Sequence, residues 1–131
     1  MNPVIPLAVA LGSALGAMAR VWLVNQVSSR LKSDFPLGTL AVNLSGALLI
    51  GLFSALLAGI NGNGASTAHY LLVIGVLGSY TTVSSFSLQT LALFREGHTR
   101  AAMLNVALSV SGCLLAGAAG MVLASAAGGG N

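Results

Sequence analysis

Four apolar runs, each long enough to cross a bilayer, constrain this chain more than any motif within it. They extend from about Pro3 to Val24, Leu37 to Ile60, Tyr70 to Phe94 and Ala101 to Ala126. A hydrocarbon core about 30 Å thick takes about 20 apolar residues per spanning helix, so each run predicts one membrane helix. Between them they use nearly all of the 131 residues, which predicts one four-helix transmembrane domain (1–131) and no soluble domain. Only 5% of the residues are charged, against roughly 25% in ordinary soluble domains. The expected fold class is therefore all-α membrane protein, with the lipid bilayer as a partner. The first run has no basic stretch before it and no clear small-residue cleavage site, so it reads as a mature helix rather than a removable signal.

The few ionisable groups exclude several functions. Both carboxylates, Asp34 and Glu96, fall in loops, whereas proton-coupled transporters and pumps usually carry one at membrane depth. There is no Ser/His/Asp set of plausible spacing, no phosphate loop and no basic patch large enough for nucleic acid. An enzyme is not expected. Cys113 is the single cysteine, and His69 and His98 lie at helix ends, so no metal-ligand spacing is present.

The third run carries an anomaly. Gly75-Val76-Leu77-Gly78-Ser79-Tyr80-Thr81-Thr82-Val83-Ser84-Ser85-Phe86-Ser87 holds two glycines and six hydroxyl side chains besides Tyr80. A spanning helix has no need of such polarity. Irregular backbone at membrane depth persists where protein buries it or where it lines a wet cavity, and half-helix ends at a break can hold ions. The stretch therefore predicts a third helix broken over Gly78 to Thr82 and resuming at Ser84, with an ion site at the break.

Neutral donors surround that break in the sequence. Thr39 and Asn43 are four residues apart on the second helix, and so share one face with Gly46 and Ala47. Asn105, Ser109 and Cys113 form a polar stripe on the fourth helix, beside a small-residue stripe of Gly112, Ala116 and Gly120. One stripe suits a solvated path and the other close packing. Together with Ser84 and Ser85, these amides and hydroxyls suit a small, strongly hydrated anion, because they replace water without holding the ion too tightly to leave. The edge of the Phe86 ring is electropositive and can add to them. Asn43 has an equal alternative, a hydrogen bond to a neighbouring helix. Carbonyls released at the break suit a cation. On the first helix, Gly12 and Gly16 form a small-xxx-small packing face, and Arg20 follows one turn later, where snorkelling to the interface is expected. Asn25 to Pro36 and Asn61 to Ser66 read as loops, Arg95 to Arg100 as a hinge, and Gly128 to Asn131 as a disordered tail.

At these residues the chain resembles the Fluc (CrcB) fluoride-channel family. Three blocks carry the likeness: Gly12-xxx-Gly16-Ala17-xx-Arg20, then Gly38-Thr39-Leu40-x-Val42-Asn43-Leu44-x-Gly46-xxxx-Gly51, then Gly75-xx-Gly78-xx-Thr81-Thr82-x-Ser84-x-Phe86-Ser87. The resemblance implies an antiparallel dimer with two narrow pores that export fluoride passively from the cytoplasm across the inner membrane. It implies that the backbone carbonyls of Gly78 and Thr81, from both subunits, hold a central sodium ion. It places Asn43 as a pore amide, Phe86 with its ring edge toward fluoride, Ser84 and Ser85 in the hydroxyl run, and Ser109 and Cys113 on a polar track. Three positions depart from the family pattern: Val83 stands for the first phenylalanine, Gln89 for a glutamate and Ser79 for a glycine.

Charge adds an expectation about assembly. With helices alternating across the membrane, Arg20, Arg30, Lys32, Arg95 and Arg100 all fall on the side of loops 1 and 3. The positive-inside rule then puts both termini outside. An antiparallel dimer of so lopsided a chain suggests a homologous second subunit with the opposite bias, one that would supply the ring missing at Val83, with a homodimer as the alternative. The competing readings are a small four-helix transporter of the multidrug type and a non-conducting partner subunit.

Overall fold

The computed structural model describes residues 3–58 and 67–128. The fold is all-α: α1 is Val4–Leu31, α2 is Leu37–Ala58, α3 covers 67–80, α4 is Val83–Arg95 and α5 is Thr99–Gly128. α3 and α4 are the two halves of one span, Thr67–Arg95, so the described residues hold four helices long and apolar enough to cross a membrane. Their outward faces are those of a lipid-exposed protein. Trp22, Leu114 and Leu115 are largely exposed in the single chain, as hydrocarbon surroundings permit.

Several helices outrun their predicted ends. α1 continues past Val24 through the supposed loop to Leu31, and closes only where Lys32 turns left-handed (φ 38°) and its N–H bonds Ser28 O. Hydropathy marks where a helix leaves the hydrocarbon, and 25–31 contains no glycine or proline to stop it there. At about 1.5 Å per residue, α1 is about 42 Å long. α3 and α4 together begin at Thr67 and end at Arg95, and α5 spans Thr99–Gly128 instead of 101–126. The predicted end of the second helix at Ile60, the Asn61–Ser66 turn and residues 129–131 of the predicted tail lie outside the described residues, while Gly128 belongs to α5. The hinge before α5 is a Schellman turn: Gly97 takes φ 84°, and His98 N–H reaches back to Leu93 O at 2.9 Å.

Two glycine-mediated pairs build the bundle. α1 lies on α3, where a Cβ on Gly12 would collide with Leu71 O and one on Gly16 with Val76 O. α2 lies on α5, where Gly51 faces Gly117 O and Gly120 faces Leu48 O with no room for a methyl group. Small residues let backbones approach without a hydrophobic drive between helices, and so supply the packing that holds spans together. Of the two α5 stripes, Gly112 and Gly120 thus serve close packing against α2, through Leu44 and Leu48. Inside α3, residues Tyr70–Leu77 are wound as a π-helix, with Gly78 N–H bonding Val73 O and Gly75 O. Nothing in the apolar pattern signalled that winding.

Replacing Gly51 by Val should force apart α2 and α5. Overpacking costs about 1–3 kcal/mol, so the variant is expected to unfold at lower temperature than wild type in detergent, as followed by loss of the monodisperse peak in size-exclusion chromatography.

Candidate functional site

The break is narrower than predicted. Gly78–Tyr80 is still helical, and only Thr81 (φ −75°, ψ 157°) and Thr82 (φ −149°, ψ 120°) are extended. Helix resumes at Val83 rather than Ser84. Gly78 has ordinary helical angles (φ −63°, ψ −34°), and Ser79 adds a hydroxyl bond back to Gly75 O at 3.0 Å, so neither residue interrupts the winding. Two hydroxyls mark the edges. Thr81 Oγ1 and Thr81 N–H both donate to Leu77 O, each at 3.0 Å. Thr82 Oγ1 accepts Ser85 N–H at 3.2 Å, which is an N-cap on α4. It also sits 3.2 Å from the hydroxyls of Ser84 and Ser85.

α2 reads this break through three adjacent features. Asn43 Nδ2 donates to Thr82 O at 2.9 Å, and Asn43 Oδ1 accepts Thr82 N–H at 2.8 Å. The backbone donor settles which amide atom is which, since only Oδ1 can accept it. Ser45 Oγ lies 2.9 Å from Tyr80 OH. Gly46 leaves space that a Cβ would take from Thr81 Cγ2 and the Tyr80 ring. Of the two readings of Asn43, the hydrogen bond to a neighbouring segment is thus present. One Nδ2 hydrogen remains beyond it.

An open cavity of about 410 Å³ lies beside the break, between α2, α4 and α5. Asn43, Thr81, Thr82, Val83, Phe86, Ser109 and Cys113 line it along with aliphatic neighbours, and no ionisable group other than the Cys113 thiol does. The structure therefore brings together four of the predicted anion-facing groups, Asn43, Phe86, Ser109 and Cys113. Val83 is 77% exposed in the single chain. Ser84 and Ser85 stay in the Thr82 hydroxyl cluster, outside the cavity lining. Thr39 is buried one turn before Asn43 and also does not line the cavity.

The predicted polar stripe of α5 divides. Asn105 is 2% exposed and donates from Nδ2 to Thr90 Oγ1 at 2.8 Å, while Thr90 Oγ1 donates to Phe86 O at 2.7 Å. That chain ties α5 to the turn of α4 that carries Phe86. Ser109 and Cys113, one and two turns on, reach the cavity. Gln89 Oε1 is buried with no hydrogen-bond partner among the described residues. Sequence reasoning passed over Ser45 and Thr90, whose partners lie 35 and 15 residues away. Thr82 had a local signal, a hydroxyl three residues before Ser85 at a helix start.

The Gly78 and Thr81 carbonyls both lose their helical donors at the break. In an unbroken helix Gly78 O would accept Thr82 N–H, and Thr81 O would accept Ser85 N–H. Both donors are turned elsewhere, to Asn43 Oδ1 and Thr82 Oγ1.

A family model described as "CrcB-like protein, Camphor Resistance (CrcB)" matches residues 7–121. Among curated relatives, "Fluoride-specific ion channel FluC 2" of Bradyrhizobium diazoefficiens is 47% identical over 124 residues, covering 94% of this chain and 90% of that one. A protein of the same name from Rhodopseudomonas palustris is 50% identical over 117 residues, covering 88% and 89%. "Fluoride-specific ion channel FluC" of Rhodospirillum rubrum is 45% identical over 109 residues, covering 82% and 84%.

Removing the Thr82 cap with Thr82→Val should destabilise the fold by about 0.5–2 kcal/mol, the usual cost of a lost N-cap. Equilibrium unfolding in mixed micelles checks it. In the same assay, a double-mutant cycle of Asn105→Ala with Thr90→Val is expected to give a coupling of about 0.6 kcal/mol, the average for hydrogen bonds between membrane helices.

Proposed function

The chain belongs to the CrcB-like family, and on that premise we propose that it is a subunit of a fluoride-selective passive channel that lets the ion leave the cytoplasm. The observation that carries this reading is the cavity at the helix break, lined by Asn43, Phe86, Ser109 and Cys113 and free of acidic and basic side chains. Fluoride must shed water to enter a narrow path. The second Nδ2 hydrogen of Asn43, the Ser109 hydroxyl and the positive edge of the Phe86 ring replace that water with neutral donors. Neutral donors hold the ion weakly enough for it to move on, as conduction requires. The Cys113 thiol is a weaker donor than a hydroxyl and adds little.

The pores are proposed to complete themselves at an antiparallel dimer interface. One feature of the single chain supports a second subunit there. Val83 presents an aliphatic surface at the cavity rim. The basic residues Arg20, Arg30, Lys32, Arg95 and Arg100 favour one orientation, with both termini outside. A homologous partner of opposite bias, with phenylalanine in place of Val83, satisfies both the charge rule and the pore.

A structural sodium ion fits the break. The carbonyls of Gly78 and Thr81 have lost their helical donors, and neutral backbone oxygens at unwound helix ends are the ligands that sodium takes in membrane proteins. Those two residues would hold the ion, which would supply a fixed positive charge where the subunits meet.

Fluoride efflux from liposomes, read by electrode beside a chloride control, tests the function. Fluoride-selective efflux is expected with a homologous partner present, and weaker efflux from this chain alone. Val83→Phe should raise the latter by up to about tenfold, given about 0.5–1.5 kcal/mol for a well-placed aromatic contact. Equal rates for the two halides, or no efflux in either preparation of folded protein, would overturn the assignment.

A further inference from the structure

Asn43 makes two hydrogen bonds that lining a pore does not require. Its carboxamide grips both backbone atoms of Thr82, accepting from the N–H at 2.8 Å and donating to the carbonyl at 2.9 Å. We propose that Asn43 is a positioning residue for the carbonyl site at the break, keeping Gly78 O available for a cation by holding Thr82 N–H away from the helix. The inference rests on the sodium reading above and deepens it.

The argument follows from which donors a helix would use. Were α3 to continue into α4, Thr82 N–H would close on Gly78 O. The gain of a hydrogen bond inside the membrane favours that closure, because lipid offers no substitute partner. An alternative acceptor must therefore be fixed nearby, and Asn43 Oδ1 is that acceptor. Its own orientation is locked by the second bond, from Nδ2 to Thr82 O. The Thr82 hydroxyl then does for Thr81 O what Asn43 does for Gly78 O, by capturing Ser85 N–H at 3.2 Å. Two neighbours keep the clamp in register: Ser45 holds the Tyr80 phenol at 2.9 Å, and Gly46 lets Thr81 lie against α2. A side chain of similar size without an oxygen would leave Thr82 N–H to return to Gly78.

The sodium dependence of thermal stability separates this role from a merely structural one. Purified full-length protein is melted in detergent over a sodium series balanced with N-methylglucamine. Wild type is expected to melt higher as sodium rises. Asn43→Leu, which keeps the volume and removes the acceptor, should shift the sodium midpoint upward by about tenfold or more, within the usual range for coupled sites. Ser109→Ala, which lines the cavity but makes no hydrogen bond to Thr82, should stay within about threefold of wild type. An unchanged midpoint in Asn43→Leu would overturn the positioning role while leaving the sodium site standing. A wild-type protein indifferent to sodium would remove the site and the proposal with it. Should Asn43→Leu fail to fold, hydrogen exchange at the wild-type Thr82 amide decides. Slower exchange in sodium than in N-methylglucamine is expected, and equal exchange would overturn the clamp.

Discussion

Inside hydrocarbon, a backbone N–H or carbonyl without a partner costs several kcal/mol, and the interruption at Thr81 and Thr82 is possible only because side chains take over what the helix gives up. Asn43 satisfies both polar atoms of Thr82, and the Thr82 hydroxyl satisfies Ser85. The rest of the architecture arranges itself to bring these groups together. α2 must stand close enough for a short asparagine to reach, and Gly46 provides that proximity by offering no Cβ to Thr81 and Tyr80.

Close approach is also how the bundle holds itself together. With lipid outside as apolar as the side chains within, burial supplies little drive, and backbone-to-backbone packing replaces it. Gly12 and Gly16 seat α1 on the π-wound part of α3, and Gly51 and Gly120 seat α2 on α5. The break is therefore gripped between two tightly packed pairs, with α2 reaching it from one and α3 carrying it from the other. The cavity opens on the remaining side, toward α4 and α5, where the Asn105–Thr90 bond sets the position of the turn bearing Phe86. One wall thus carries polar groups mostly spent on structure, and the other carries Ser109 and Cys113, whose side chains make no hydrogen bond among the described residues.

The division of labour within Asn43 follows from its chemistry. A carboxamide has one strong acceptor and two donors, which is enough to hold Thr82 twice and keep one hydrogen for the cavity. A hydroxyl has a single hydrogen and cannot do this. An anionic side chain can accept but has nothing to donate.

Apolar run length alone determined four spanning helices, because hydropathy reports directly on transfer into hydrocarbon. The crowding of hydroxyls between Gly75 and Ser87 placed the interruption in the third span, and the four-residue spacing of Ser109 and Cys113 put those two on one face, as their shared cavity bears out. Local pattern failed where the deciding partner was distant or where the signal measured something else. Hydropathy ended α1 at Val24, since it senses depth rather than winding, and the helix went on to Leu31. Gly78 read as a breaker but stays helical, while the extended residues proved to be the β-branched pair after it. That Asn105 turns to Thr90 rather than to the cavity, and that Asn43 spends most of its hydrogen-bonding capacity on Thr82, was settled only by tertiary structure. Periodicity assigns a residue to a face, but what occupies the space opposite that face depends on how separate helices pack.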